Sequence, residues 1–158
     1  MSTVAATLAP VQRWLIRRRE AGLLGMVDLV TEDAVPPSNP LCVGPNAAEV
    51  GERLRRQFGR CAVADLPTDV TALPFDDGAF DLVVCLDGLV RPADPDRALH
   101  ELARVCSHHL VLSLPRRPRG RWSKSNAQRL GSSVGAVRNV ASPFPWTILW
   151  VTLFKTRG

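Results

Sequence analysis

The sequence predicts an α/β fold, a mostly parallel sheet with helices on both faces, and three observations point there. The run Phe80, Asp81, Leu82, Val83, Val84, Cys85, Leu86 is almost continuously apolar after its first residues, the pattern of a parallel strand buried on both faces. Asp94 to Val105 then shows helical periodicity, and Leu110 to Leu114 forms a second apolar run stopped by Pro115, so the segment reads as strand, crossover helix and strand. Upstream, Leu41-Cys42-Val43-Gly44 followed by Ala48 to Leu54 repeats the strand-then-helix order.

In chain order, Val11, Trp14 and Leu15 lie opposite Gln12, Arg13, Arg17, Arg18 and Arg19, which reads as an amphipathic helix ended by Gly22 and Gly25. Its basic side is either a solvated face or a contact for phosphate or an acidic substrate. Leu29 to Pro40, with Asp33, Pro36, Pro37, Ser38 and Asn39, has the composition of a loop. After the first strand and helix, Arg60 to Asp65 supplies a second strand. Phe75-Asp76-Asp77-Gly78-Ala79 then reverses the chain, with glycine where positive φ is cheap and aspartate where a side chain closes a turn.

The helix from Asp94 has a defined start: Asp94 can cap, Pro95 is tolerated at the first helical position, and Asp96 favours the positive end of the helix dipole. Ala98, Leu99, Leu102, Ala103 and Val105 share its apolar face, with Arg97, Glu101 and Arg104 turned outward. His100 sits on this helix, and His108 and His109 read as turn residues before the next strand. The segment Phe144 to Phe154 is rich in β-formers and supplies the final strand or strands. As a single strand it would place Trp146, Ile148, Trp150, Thr152 and Phe154 on one face, and both faces are largely apolar.

The chain of 158 residues, 46% hydrophobic and 22% charged, suits one domain with one core. Cys42, Cys61, Cys85 and Cys106 are widely spaced within or beside apolar runs, without metal-ligand spacing, which predicts buried reduced thiols, no metal and a cytoplasmic setting. No stretch approaches the ~18 apolar residues of a membrane span. The N-terminus has its basic cluster after its apolar residues, the reverse of a secretory signal, and its Arg-rich, acid-poor start has a faint likeness to an organellar transit peptide. The preference for Ala, Val and Arg over Lys is that of a GC-rich bacterial source. A net charge of +5 permits nucleic acid or an acidic partner, and a solvated basic surface is the simpler account.

Asp69-Val70-Thr71-Ala72-Leu73-Pro74-Phe75, the Asp/Gly turn, Phe80-Asp81-Leu82-Val83 and Asp94-Pro95 occur here in one order. In these residues the chain resembles the class I S-adenosylmethionine-dependent methyltransferases of the small-molecule, type 11 group, over Leu41 to Leu114. The resemblance implies a Rossmann-like methyltransferase fold in a single domain. Residues 1–40 would be an N-terminal helical extension and loop, 41–114 the nucleotide-binding core, and 115–158 a basic loop and C-terminal strands. It implies S-adenosylmethionine as cofactor and cofactor contacts from Gly44, Asn46, Ala48, Asp65, Asp69, Val70 and Asp87. Trp14 would then either help close the pocket or simply pack.

Two departures from the family pattern bear on activity. Where the family carries Gly-x-Gly-x-Gly after the first strand, to let the backbone bend and approach the cofactor, this chain reads Gly44-Pro45-Asn46-Ala47-Ala48. In the family, Asp65 would accept from the ribose hydroxyls and Asp69 would lie near the adenine amino group, with a helix and most of a strand between them. Here only Leu66-Pro67-Thr68 intervenes, and three residues span ~10 Å at most, so the fold is shortened between the second and fourth strands of the family pattern. Both acids can equally be read as flanks of a turn at Pro67. Asp87, beyond the central strand, either meets the ligand or is a loop carboxylate. Val90 and Arg91 stand where the family often has a polar pair, so no general base, and no catalytic residue, is identified.

Three functions follow from the sequence. The first is methyl transfer to a small-molecule O, N or C nucleophile. The second is a non-catalytic homologue acting as a partner or regulatory subunit, a homo- or hetero-oligomer joined through the C-terminal aromatic strand. The third is nucleic-acid binding through Arg116 to Lys124, which rests on charge alone.

Overall fold

The computed structural model describes residues 36–44, 47–65, 69–85, 94–115, 134–141 and 146–153. The helix expected at Val11 to Arg19, Trp14, Asn46, Asp87, Val90, Arg91 and the basic run Arg116 to Lys124 lie outside them. The described elements, in order, are β1 (Pro40–Gly44), α1 (Ala47–Phe58), β2 (Ala62–Asp65), β3 (Phe80–Cys85), α2 (Pro95–Val105), β4 (Cys106–Pro115), β5 (Val134–Ala141) and β6 (Trp146–Leu153).

These strands form one sheet in the order β2-β1-β3-β4-β6-β5. The first four are parallel, with Cys42 opposite Val63 on one side and Val84 on the other, and Val84 opposite Val111. β6 joins β4 and β5 antiparallel. The strand alternation sorts the core into two layers. Cys42, Leu82, Val84 and Val111 meet Ala47, Val50 and Leu54 of α1, while Leu41, Val43, Val83, Cys85, Leu110 and Leu112 meet Ala98, Leu99, Leu102 and Val105 of α2. Helices therefore cover both faces, as the continuous apolar run of β3 requires.

Both helices end as their sequences dictate. Gly59, at φ 82°, donates its amide to the Arg55 carbonyl at 2.8 Å and stops α1. Asp94 caps α2 by accepting from the Arg97 amide at 3.1 Å, with Pro95 following. In α1, Gly51 faces the sheet: a Cβ there would stand 2.5 Å from Cγ2 of Val63, so glycine is what lets the helix lie close to β2.

The expected turn at His108 and His109 is absent. α2 passes directly into β4 at Cys106, where the backbone becomes extended (φ −93°, ψ 134°), and both histidines lie inside the strand. The register steps from Phe80 opposite Cys106 to Leu82 opposite His109, so Ser107 and His108 share a bulge that absorbs one extra residue. The Ser107 hydroxyl is 3.2 Å from the Phe80 carbonyl and 2.8 Å from Nδ1 of His108. Burial, followed by the neighbouring His108, lowers the pKa of His109.

Glu101 and Arg104 also differ from the outward placement expected. Glu101 accepts from the Leu73 amide at 2.9 Å, and Arg104 donates to the carbonyls of Leu73 (3.1 Å) and Phe75 (2.8 Å) and to Asp77 (2.6 Å). Hydrogen bonds with Glu101 and then Asp77 hold the guanidinium pKa well above its usual range. The loop before β3 is bracketed to α2. Helical spacing shows which side of a helix is polar, and a loop lying along that side was not visible from periodicity.

The expected C-terminal strand is β6, bounded on both edges by strands, so a partner could not pair with its backbone. β5 carries Gly135 and Asn139, both poor β-formers, and its sequence gave no strand signal of its own.

Candidate functional site

Open α/β sheets bind ligands outside the carboxyl ends of their strands. At that edge β1 ends in Gly44, with φ 124°, a conformation closed to ordinary side chains, and Gly44 stands in register with Asp65 at the end of β2. On the other side of β1, Val43 is in register with Cys85 at the end of β3. Two residues separate the end of β1 from the start of α1, so the unpaired amides of the first turn of that helix belong to the same edge. Ala48 is exposed in this turn, and Ala47 is buried beneath it.

The sequence profile of the family described as methyltransferase domain matches residues 41–111, the stretch from β1 into β4. Over residues 41–111 the chain is similar to that family. No curated protein matches the chain in sequence. Among solved structures, the fold is shared with the N-methyltransferase NodS from Bradyrhizobium japonicum WM9, at 18% identity, with 88% of this chain and 96% of that one covered and a TM-score of 0.64. It is shared too with magnesium protoporphyrin IX methyltransferase from Synechocystis PCC 6803 with bound S-adenosylmethionine, at 14% identity, 93% and 85% coverage and a TM-score of 0.63. A third similar structure is the complex of the Haloferax volcanii Trm112 methyltransferase activator with a methyltransferase, at 14% identity, 77% and 84% coverage and a TM-score of 0.59.

Within the matched residues, Gly44, Asp65 and the first turn of α1 meet at one corner of the carboxyl edge. Asp69 has a different commitment. Its exposed carboxylate turns back on its own loop, Oδ1 accepting from the Thr71 hydroxyl at 2.7 Å and the Thr71 amide at 2.9 Å. The Thr71 hydroxyl, then its amide, hold the Asp69 carboxyl below its ordinary pKa. Val70 is buried with Leu41, Val43 and Ala64 in the α2-side layer, so only its backbone is left to the edge. Asn46 and Asp87 of the expected cofactor set lie outside the described residues.

The most tightly held carboxylate of the motif is at the other end. Asp81, from Phe-Asp-Leu-Val, accepts from the Ser38 amide (2.6 Å), the Ser38 hydroxyl (2.9 Å) and the Asn39 amide (3.0 Å). Asn39 Nδ2 in turn donates to the Ala79 carbonyl at 2.7 Å. Burial pushes the Asp81 carboxyl up, but the hydrogen bonds from Ser38 and Asn39 outweigh it and leave it below the ordinary value. This aspartate fastens the approach to β1 onto β3 and has no place in the carboxyl-edge chemistry.

Thr71, Glu101, Arg104 and Gly51 were missed as determinants of the site's frame. The Asp-x-Thr spacing at 69–71 carries a signal for the first, since aspartate commonly bonds the backbone two residues on. All four cysteines are buried thiols, as their sequence contexts indicate, and burial pushes the Cys61 thiol up to about 11. Among the described residues no cluster of three or more His, Cys, Asp or Glu could hold a metal, and no helix is long and apolar enough to cross a membrane.

Proposed function

We propose that the chain is an S-adenosylmethionine-dependent methyltransferase acting on a small-molecule O, N or C nucleophile. The observation that carries this reading is Gly44: at φ 124° and in register with Asp65, it puts a side-chain-free backbone bend and an acidic residue together at the carboxyl edge of the matched core. A sulfonium cofactor needs close backbone approach, acceptors for ribose hydroxyls and donors for its carboxylate. Gly44, Asp65 and the amides at the start of α1 are chemically suited to those three tasks. Binding at that corner would fix the ribose and the amino-acid end, leaving the methyl group to be oriented toward the nucleophile.

S-adenosylmethionine supplies an activated methyl group and its own leaving group, so the protein contributes binding, orientation and exclusion of water. No general base is assigned, and the reading suits a nucleophile that is already basic or already ionised. Calorimetric titration with S-adenosylmethionine and with S-adenosylhomocysteine tests it. Saturable binding that is lost in Asp65→Ala and in Gly44→Val is expected; no binding of either compound refutes it.

A second reading, a non-catalytic subunit completed by a partner chain, has one observation in its favour. With only three residues between Asp65 and Asp69, β2 is the last strand on its side of the sheet among the described residues. Co-purification of a second chain, together with cofactor binding only in its presence, would favour this reading over the first.

A further inference from the structure

We propose that the Asp77-Gly78 bond is a modification site, at which the chain rearranges to isoaspartate once Arg104 lets go of it, so that one residue of α2 sets how fast the loop before β3 ages. The rearrangement needs neither enzyme nor oxidant. The Gly78 amide nitrogen attacks Cγ of Asp77, a C–N bond forms, the amide hydrogen and the carboxyl hydroxyl leave as water, and a succinimide ring closes. Water then opens the ring at either carbonyl, restoring aspartate or leaving a backbone that runs through the Asp77 side chain. Glycine at the second position favours closure, because it has no Cβ to hinder the attack.

Arg104 holds both reacting groups. Its backbone carbonyl accepts from the Gly78 amide, the nucleophile, at 2.8 Å, and its Nη1 donates to Oδ1 of Asp77, the electrophile, at 2.6 Å. Ring closure requires the amide to turn from α2 toward its own chain and the carboxylate to leave the guanidinium, so both bonds must open first. The guanidinium cannot follow the loop outward, because it also donates to the Leu73 and Phe75 carbonyls at 3.1 and 2.8 Å and to Glu101 at 2.7 and 3.0 Å. The Asp77 side chain is nevertheless 80% exposed, so water reaches it as soon as the bonds open. An isoaspartyl link puts one more carbon into the backbone between Asp77 and Gly78. That would carry the Gly78 amide off the Arg104 carbonyl and loosen the turn from α2 immediately before β3 begins at Phe80.

The test is incubation of the full chain at neutral pH, in buffer and in urea, with isoaspartate at residue 77 followed by peptide mapping and electron-transfer fragmentation. Wild type is compared with Arg104→Ala and with Asp81→Asn, which weakens the fold at a site that leaves the Asp77 contacts in place. Expected are a wild-type rate in buffer about tenfold or more below the rate in urea, the slowing that one charge-assisted hydrogen bond supplies, a rise of several-fold in Arg104→Ala, and no such rise in Asp81→Asn. Where the alanine variant does not fold, Arg104→Gln, which removes the guanidinium and keeps most of the side chain, carries the same expectation. A wild-type rate in buffer equal to that in urea would overturn the proposal. So would an equal rise in the Arg104 and Asp81 variants, which would assign the protection to global stability instead of to Arg104.

Discussion

Replacing Gly51 by alanine sets two effects of opposite sign against each other, and the structure decides between them. In an exposed helix interior the change would stabilise by up to ~1 kcal/mol, because alanine is the better helix former. Here the new Cβ would stand 2.5 Å from Cγ2 of Val63, a separation that real Cβ atoms essentially never show. Val63 is β-branched and held in a strand between backbone neighbours, so its methyl cannot simply rotate away. Overpacking of this kind costs roughly 1–3 kcal/mol, which leaves a net loss of about 1 kcal/mol. Urea unfolding should show a lower midpoint with an unchanged slope. In a Val63→Ala background, where the clashing methyl is gone, the same substitution should become neutral or stabilising, giving a coupling of roughly 1–3 kcal/mol in a double-mutant cycle. A stabilising Gly51→Ala in the wild-type background, or strict additivity with Val63→Ala, would refute the close approach of α1 to β2.

Asp81→Asn should destabilise by about 2 kcal/mol at neutral pH, since an ionised acceptor of three hydrogen bonds is replaced. The native carboxyl lies below its ordinary value, so its contribution is present above the unfolded pKa and disappears as pH falls through the folded one; the difference from wild type should shrink in acid unfolding curves. Arg104→Ala should raise amide exchange at Leu73 to Gly78 and cost roughly 1–2 kcal/mol, whereas Arg56→Ala, on an exposed ion pair with Glu52, should change the unfolding midpoint little. Thiol titration of the folded protein at pH 8 should proceed slowly, burial holding the Cys61 thiol protonated, and should reach four equivalents only on unfolding.

The parallel half of the fold was legible because each of its elements announces itself twice. β3 is visible as an apolar run and again as the strand that must follow the Asp76-Asp77-Gly78 turn, where Gly78 indeed has φ 64°. α2 is visible from its spacing and from Asp94-Pro95. Less legible were features that depend on neighbours distant in sequence. The bulge at Ser107 and His108 exists because β4 must stay in register with β3, a constraint that no local pattern expresses. The polar side of α2 looked solvated because periodicity cannot report that residues 73–77 return to lie along it. At the candidate site, the glycine that ends β1 and the acid that ends β2 could be read from the sequence. The Asp-x-Thr spacing hints that Asp69 bonds the Thr71 amide, and the second bond, from the Thr71 hydroxyl, needs the turn itself.

The strand order has a consequence for the growing chain. β5 is synthesised before β6 yet touches the sheet only through it, because β6 occupies the place between β4 and β5. Until Trp146 to Leu153 has left the ribosome, residues 134–141 lack the one strand they pair with among the described residues, while the exposed side of β4 offers itself to any extended segment nearby. Translation speed through this last stretch, and the supply of chaperones during it, should therefore govern the yield of soluble protein more strongly than events in the parallel half.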